Sequence, residues 1–151
     1  MEKIKWEIKH FDELSALEYH QILYLRTEIF VVEQNCPYQE VDHKAFVAYH
    51  VFGLNEQNEL VAVARILPEN VSYKEVSIGR VAVKKNYRGT GLADKLMNVT
   101  FSAINQLFGK KNIRISAQEY LLIFYSRHGF KAVSETYLED DIPHVEMLKN
   151  K

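Results

Sequence analysis

The chain has 151 residues, of which 47% are hydrophobic and 26% are charged, and its formal net charge is -1. These values are typical of one globular domain, and they exclude the global positive field by which many proteins attract nucleic acids. The single cysteine, Cys36, excludes an internal disulfide bond and a cysteine-rich zinc site.

We expect the chain to form one domain over 1–151 in a reducing, cytoplasmic compartment. The N-terminal stretch lacks the long apolar core of a signal peptide, and no apolar run in the sequence is long enough to span a bilayer. We therefore expect no membrane partner, no nucleic-acid partner and no bound metal.

The first third of the chain predicts a strand followed by a helix. Residues 2–8 alternate between polar and apolar side chains, which is the pattern of a half-buried strand. Ser15 and Glu18 have the spacing of a capping box, in which each side chain hydrogen-bonds the backbone of the other residue. Apolar residues then recur at helical spacing, so the helix is predicted to end near Val32.

The middle of the chain predicts three strands. Residues 46–54 and 59–67 are rich in β-branched and aromatic side chains, and the polar turn 55–58 between them predicts a hairpin. After the loop 68–70, a further strand is predicted over 75–83.

The last part of the chain predicts two helices and three more strands. Helical spacing predicts one helix from Leu92 to Leu107, and residues 120–128 predict a shorter helix that a glycine ends. The strands are predicted near 113–115, 131–137 and 144–149. The order β-α-β-β-β-α-β-α-β-β predicts a mixed α+β fold, in which a mostly antiparallel meander precedes a strand–helix–strand crossover.

The strongest chemical signal is the segment 81–93, which runs from a buried strand through a polar turn into a helix. A helix N-terminus offers free N–H donors and the positive end of the helix dipole to an anion. Gly89 and Gly91 let a phosphate approach the backbone, and Arg88 adds a permanent charge, so the segment predicts a diphosphate site. The glycine pattern alone also fits a turn with purely structural glycines, and it lacks the Gly-Lys-Ser/Thr of a Walker loop.

This segment resembles the acyl-CoA motif of the GNAT N-acetyltransferase superfamily, whose pattern is Arg/Gln-x-x-Gly-x-Gly/Ala. The matching residues are Arg88-Gly89-Thr90-Gly91-Leu92-Ala93, which follow Val83. Downstream, residues 118–130 resemble the second motif of the superfamily, with Tyr125 and a Gly-Phe pair in their usual places. Gln118 stands where the family more often has Asn.

Three further blocks resemble the ElaA-type branch of this superfamily. They are residues 25–42, 64–67 and 141–144, and the first block contains the distinctive sequence VVEQNCPYQ. The resemblance covers nearly the whole chain. It implies the GNAT-type α+β fold, with a mixed, mostly antiparallel central sheet and helices on both faces.

The resemblance also implies that acetyl-CoA is the cosubstrate. In this superfamily the strand before the loop, here 75–83, splays from its neighbour, and the acyl-pantetheine arm lies in the split. Backbone amides of the loop hold the pyrophosphate, and backbone groups of the splayed strand bind the arm. The implied cofactor-binding residues are Val81, Val83, Arg88, Gly89, Thr90, Gly91, Leu92, Ala93 and Gln118.

The implied reaction is direct attack on the thioester by a primary amine, and the acceptor that bears this amine is either a small molecule or a protein. One proton must leave the incoming ammonium, and the departing CoA thiolate must be stabilised by another. Tyr125 stands where the family has its general acid. Candidates for the general base are Glu33 and His144, and then Glu28, Asp42 and Glu119. A water relay without a single base is the alternative.

Other interpretations remain open at this point. Arg26, Arg65 and Arg80 are candidates for binding a carboxylate on the acceptor, although Arg26 lies on the apolar helix face and also fits a buried ion pair. Cys36 raises the alternative of an acyl-cysteine intermediate, but no base is evident beside it. The same fold also admits a non-catalytic acyl-CoA-binding domain or an acyl-homoserine-lactone-type synthase. The superfamily further suggests a homodimer through the last strands.

Overall fold

The computed structural model describes residues 2–151, which form one eight-stranded sheet and three α-helices. The strands are β1 (Lys5–His10), β2 (Tyr49–Leu54), β3 (Leu60–Leu67), β4 (Val76–Val83), β5 (Ile113–Gln118), β6 (Lys131–Ala132), β7 (Tyr137–Glu139) and β8 (Ile142–Lys149). The helices are α1 (Ala16–Thr27), α2 (Leu92–Phe108) and α3 (Leu122–Arg127). A π-helical turn, Glu28–Glu33, continues α1.

The order of the strands in the sheet is β1-β2-β3-β4-β5-β8, and both β6 and β7 pair with the outer edge of β8. Neighbouring strands are antiparallel except β4 and β5, which are parallel and are connected through α2. The mixed, mostly antiparallel α+β fold predicted from the sequence is therefore confirmed.

Helices cover both faces of the sheet. On one face, α1 packs through Ile22 and Leu25, and on the other face α2 packs through Leu96. The neighbouring β2 residues Val51 and Phe52 belong to the two different cores, as the alternation of side chains along a strand requires. All eight residues of β3 are buried, because a strand with helices on both sides has no face in contact with water.

The capping box predicted at the start of α1 is present. Ser15 Oγ accepts a hydrogen bond from the Glu18 N–H at 3.0 Å, and Glu18 Oε1 accepts one from the Ser15 N–H at 2.9 Å. These bonds satisfy N–H groups that the helix itself leaves without partners. The regular helix ends at Thr27, and the π-helical turn carries the chain on to Glu33, close to the predicted end at Val32.

The C-terminal strands differ from the prediction. The single strand predicted at 131–137 is divided into β6 and β7, and β8 begins two residues earlier than predicted, at Ile142. Glu139 pairs with Ile142, so Asp140 and Asp141 form a two-residue hairpin turn in which both φ values are positive. An Asp-Asp pair predicts such a turn less strongly than Asn-Gly does. Because the alternation of apolar residues does not indicate a turn either, the sequence does not predict the hairpin.

A β-bulge in β4 separates this strand from β5. Arg80 and Val81 together lie opposite Ala64 of β3, and Arg80 has a φ of 52°, in the left-handed region. β4 pairs with β5 at only two of its residues, Val76 and Ser77. Beyond Ser77 the two strands diverge, which is the splay that the superfamily resemblance implied.

Candidate active site

The split between β4 and β5 opens a cavity of about 580 Å³. Its walls come from the segment 34–44, from β3, β4 and β5, from α3 and from the β7–β8 hairpin. Four of the residues implied to bind the cofactor or act in catalysis line it, namely Val81, Gln118, Tyr125 and His144. The further candidates Asp42, Arg65, Arg80 and Cys36 line it as well. The remaining implied residues lie at the end of β4, in the loop that follows and in the first turn of α2, and Glu33 pairs with Arg88 of that loop.

Tyr125 lines the cavity from α3, and its side chain is 7% exposed. The ring packs edge-on against Phe124 and Phe130, which restrict its orientation. Burial raises the pKa of the Tyr125 hydroxyl above its ordinary value of about 10. The phenol therefore keeps its proton at physiological pH and can act as a donor.

Gln118 and Gln34 are joined by a pair of amide hydrogen bonds at the cavity. Gln34 Nε2 donates to Gln118 Oε1 at 3.1 Å, and Gln118 Nε2 donates to Gln34 Oε1 at 3.3 Å. The bonds connect the end of β5 to the segment that follows the π-helical turn. Sequence reasoning missed Gln34, because no local pattern relates two glutamines that lie 84 residues apart.

The loop between β4 and α2 has the backbone geometry of an anion site. Gly89 and Gly91 have φ values of 74° and 85°, which other residues rarely adopt. A Cβ at either position would meet no atom of residues 2–151 within 4 Å, chain neighbours aside. Gly91 is the N-cap of α2 and provides no side-chain cap, so N–H groups of the first helical turn are available to an anion.

Arg88 is held beside this loop by three hydrogen bonds. Its Nη1 and Nη2 donate to the Glu33 carboxylate at 2.7 and 3.0 Å, and its Nε donates to the Val83 carbonyl at 3.1 Å. The Arg88 guanidinium lowers the pKa of Glu33. A carboxylate that has a lowered pKa and binds arginine through both oxygens is a poor proton acceptor, so the geometry weighs against Glu33 as the general base.

His144 reaches the cavity from β8 and is 6% exposed. Its Nδ1 lies 2.7 Å from the Ile142 carbonyl oxygen. Because a carbonyl can only accept, Nδ1 carries a proton, which leaves Nε2 as the ring nitrogen that can accept one. Glu139 Oε2 lies 3.5 Å from Nε2, so this carboxylate would stabilise a proton taken up there. The arrangement suits a general base.

Cys36 lies at the same cavity in an unreactive setting. Its side chain is 8% exposed, and its thiol donates to the Asp140 carbonyl at 3.3 Å. Burial raises the pKa of the thiol, and the nearby carboxylates raise it further. Because the thiolate is the nucleophilic form, this setting does not favour an acyl-cysteine intermediate.

A network of charges lies beside the cavity, and its carboxylates come from the segment 34–44. Arg26 is 1% exposed and forms a buried ion pair with Glu40, which confirms the ion-pair alternative for Arg26. Arg80 Nε donates to both oxygens of Glu40 at 3.0 Å. Arg65 Nη1 donates to Asp42 Oδ1 at 2.8 Å. Sequence reasoning missed Glu40, since nothing in the pattern pairs it with a helix residue 14 positions earlier.

Residues 2–151 contain no group of three His, Cys, Asp or Glu side chains placed to hold a metal ion. In the same range, no helix is both long and apolar enough to cross a membrane.

Comparison with known proteins assigns the chain to a family. The family model for the acetyltransferase (GNAT) domain matches residues 17–151. The chain belongs to the GNAT acetyltransferase family. It is 39% identical to protein ElaA of Escherichia coli K12 over 148 residues, which cover 97% of this chain and 96% of that protein.

Solved structures agree with this assignment. An acyl-CoA N-acyltransferase from Pseudomonas aeruginosa is 40% identical and has a TM-score of 0.92, covering 97% of this chain and 99% of that one. An aminoglycoside 6′-N-acetyltransferase solved with coenzyme A shares the fold alone, with a TM-score of 0.68 and 16% identity over 95% and 96% of the two chains. The resemblance to the ElaA-type branch is confirmed, and the GNAT fold supports acyl transfer from acyl-CoA.

Proposed function

We propose that residues 1–151 form an N-acetyltransferase that moves an acetyl group from acetyl-CoA to a primary amine by direct attack in a ternary complex. One observation carries the proposal: β4 connects the anion loop to the cavity that contains Tyr125. The strand lines that cavity at Val81, and its carbonyl at Val83 is bonded by Arg88 of the loop. A ligand with a diphosphate at one end and a reactive thioester at the other fits this layout.

In the proposal, CoA lies along the edge of β4 that β5 leaves unpaired. The amides of Arg88–Ala93 hold the pyrophosphate, and backbone groups of Val81 and Val83 bind the pantetheine arm as a neighbouring strand would. The Lys84 N–H donates to β3 at 2.8 Å, so alternation along the strand turns the polar groups of Val83 towards the split. Gln118 contacts the arm from β5, and a β4 N–H polarises the thioester carbonyl.

Tyr125 is the proposed general acid. As the amine nitrogen bonds to the carbonyl carbon, the C–S bond breaks and its electron pair goes to the CoA sulfur. An ordinary thiol has a pKa of about 8.5, below that of a phenol, but the same desolvation that raises the pKa of Tyr125 also strengthens the thiolate as a base. The Tyr125 hydroxyl then donates its proton to the sulfur, and the second proton that the nitrogen must lose to become an amide returns to the Tyr125 oxygen, directly or through water.

His144 is the proposed general base, in preference to Glu33. Its Nε2 takes the proton that the attacking ammonium loses, while the Nδ1–H remains on the Ile142 carbonyl. The imidazolium formed in this step is stabilised by Glu139, at 3.5 Å. Glu33 is instead proposed to occupy Arg88 until the pyrophosphate binds.

Tyr125→Phe tests the proposal, because it removes the hydroxyl and keeps the ring. We expect kcat to fall by about 10²–10⁴-fold, since this is the usual contribution of a general acid, while acetyl-CoA still binds. Tyr120→Phe is the matched control, because that side chain is 72% exposed and lies outside the cavity lining. Turnover is measured as release of free thiol over a panel of primary amines.

The outcomes separate the competing functions. An unchanged kcat in Tyr125→Phe would reject the role of the general acid. Acetyl-CoA binding without turnover on any amine would support the non-catalytic acyl-CoA-binding domain. Product formation that requires S-adenosylmethionine as the acceptor would support the acyl-homoserine-lactone-type synthase.

A further inference from the structure

One part of the cavity wall carries more positively charged side chains than carboxylates. Arg65, Arg80 and Lys44 line it from β3, from β4 and from the segment before β2. The carboxylates that pair with the two arginines are Glu40 and Asp42. Glu40 is also shared with a third arginine outside the lining, so the wall retains an excess of positive charge.

Within residues 2–151, one hydrogen-bond donor of Arg65 has no partner. Its side chain is 5% exposed, and its Nη1 donates to Asp42 at 2.8 Å. Its Nε is buried and has no hydrogen-bond partner within residues 2–151. Burial lowers the pKa of Arg65, and the charges of Arg80 and Arg26 oppose the stabilising effect of Asp42. A further anion in the cavity beside Arg65 would offset this repulsion.

Lys44 and Arg80 extend the same wall. Lys44 Nζ donates to Ser72 Oγ at 2.8 Å, and in the described part of the chain no carboxylate pairs with it. Arg80 occupies the β-bulge with a φ of 52°, a conformation that is costly for a residue with a side chain and that is concentrated at functional sites. The bulge places Arg80 on the part of β4 beyond Ser77, where the strand has separated from β5.

The β7–β8 hairpin lines the cavity with groups that favour a positively charged group on the ligand. Glu139 contributes a carboxylate, and His144 contributes the nitrogen that the proposed function uses as a base. A ligand with an ammonium group and a carboxylate therefore matches both walls of the cavity.

We propose that the acceptor is a small amine that also bears a carboxylate, as amino acids do. Arg65, Arg80 and Lys44 bind the carboxylate, with the Ser72 hydroxyl beside them, and the amine is directed to His144. This inference rests on the proposed function, because it names the acceptor class of the same site.

The test compares kcat/KM for amino acids with kcat/KM for the matching carboxamides, which keep the amine but lose the negative charge. Suitable pairs are glycine, 4-aminobutyrate and 6-aminohexanoate with their amides, because the longer pairs have nearly equal amine basicity. We expect the acid of the best pair to be preferred by about tenfold or more, since bonds to charged groups are roughly twice as strong as neutral ones. The series also reports the spacing between amine and carboxylate that the cavity accepts.

Lys44→Gln should reduce the preference for the acid over the amide. Lys74→Gln is the matched control, because it makes the same change of charge at an exposed lysine outside the cavity lining. Equal kcat/KM values for acid and amide, or equal effects of the two substitutions on the ratio, would overturn the inference.

Measuring the binding of these acids and amides tests the carboxylate site independently of catalysis. If no amine is acetylated, the proposed function fails, and titration of the same pairs into the CoA-loaded protein decides the inference. Tighter binding of the acids would support a carboxylate site, whereas equal or absent binding of acids and amides would reject it.

Discussion

The Arg88 guanidinium can bind either of two anions. In this structure it binds the Glu33 carboxylate at 2.7 and 3.0 Å, and the proposed CoA pyrophosphate lies on the amides of the same loop. The two anions compete for one guanidinium. Under the proposed binding mode, Glu33 opposes CoA binding, even though it keeps Arg88 at the edge of the site.

Glu33→Gln should accordingly bind acetyl-CoA more tightly. An exposed ion pair contributes about 0.2–1 kcal/mol, so we expect Kd to fall by up to about fivefold. The effect should shrink as salt is added, because screening weakens exposed charges. Isothermal titration at two salt concentrations measures both changes.

Glu28→Gln is the control for this prediction, because it removes the same charge from the same π-helical turn without contacting Arg88. Weaker binding in Glu33→Gln than in Glu28→Gln would show that Glu33 positions Arg88 for the ligand. Loss of kcat in Glu33→Gln alone would restore Glu33 as a candidate base.

At the scale of residues, the sequence predicts which side chains lie at the site better than it predicts their hydrogen-bond partners. Tyr125 and Gln118 were predictable because they belong to spaced motifs, and both line the cavity. The hydrogen bonds of Gln118 to Gln34, and of Arg80 to Glu40, join segments far apart in the chain. Such contacts depend on how the sheet is assembled, and no local spacing encodes them.

At the scale of elements, the loop between β4 and α2 is the proposed anion site. Gly91 caps α2 with a φ of 85°, and Gly109 ends the same helix with a φ of 82°. A Cβ at either glycine meets no atom of residues 2–151 within 4 Å apart from its chain neighbours. The two positions therefore combine positive φ with open space, but only Gly91 faces the proposed pyrophosphate.

Gly91→Ala should abolish or strongly weaken acetyl-CoA binding, because the added methyl group occupies the approach of the phosphate. Gly109→Ala is the matched control and should retain binding. Each substitution should also lower the free energy of unfolding by about 1–2 kcal/mol or more, since left-handed backbone disfavours a Cβ. Affinity is measured by titration and stability by urea unfolding, and equal CoA affinity in the two variants would reject the loop assignment.

The elements that sequence predicts well are those with long, regular patterns. The spacing of apolar residues predicted α2 almost to its ends, and the hairpin of β2 and β3 followed from two β-branched runs around a polar turn. The bulge at Arg80 and the turn at Asp140-Asp141 were not predicted from the residues themselves. The bulge depends on a positive φ value at one non-glycine residue and the turn on positive φ values at two, which the neighbouring sequence does not require.

At the scale of the whole molecule, the cavity exists because β4 and β5 are parallel neighbours that pair at only two positions. Their divergence leaves β4 with an unpaired edge inside the protein. The place of β8 beside β5 follows from the fold family and not from chain order, since α3 and two short strands lie between them. The homodimer through the last strands stays a prediction, and β6 and β7 already pair with the outer edge of β8.

The stability of the whole fold should depend on pH through His50. This residue is fully buried, and burial together with the charge of Arg26 lowers its pKa to about 4. In the unfolded chain a histidine has a pKa of about 6.5, so the unfolded state binds more protons between these values. The free energy of unfolding should therefore fall as pH drops below about 6.5, by on the order of 3 kcal/mol at pH 4.

His50→Gln should remove this part of the pH dependence, whereas His43→Gln, at an exposed position, should retain it. Urea unfolding from pH 7 to pH 4 measures the difference between each variant and the parent. Parallel curves for the parent and His50→Gln would show that His50 is not the group responsible.

The most direct measurement is a crystal structure of the protein with CoA bound. We predict that the pyrophosphate lies on the amides of Arg88–Ala93, the pantetheine arm along β4, and the sulfur within about 4 Å of the Tyr125 hydroxyl, the limit for a hydrogen bond to sulfur. A sulfur atom outside the split between β4 and β5, or beyond the reach of Tyr125, would contradict it.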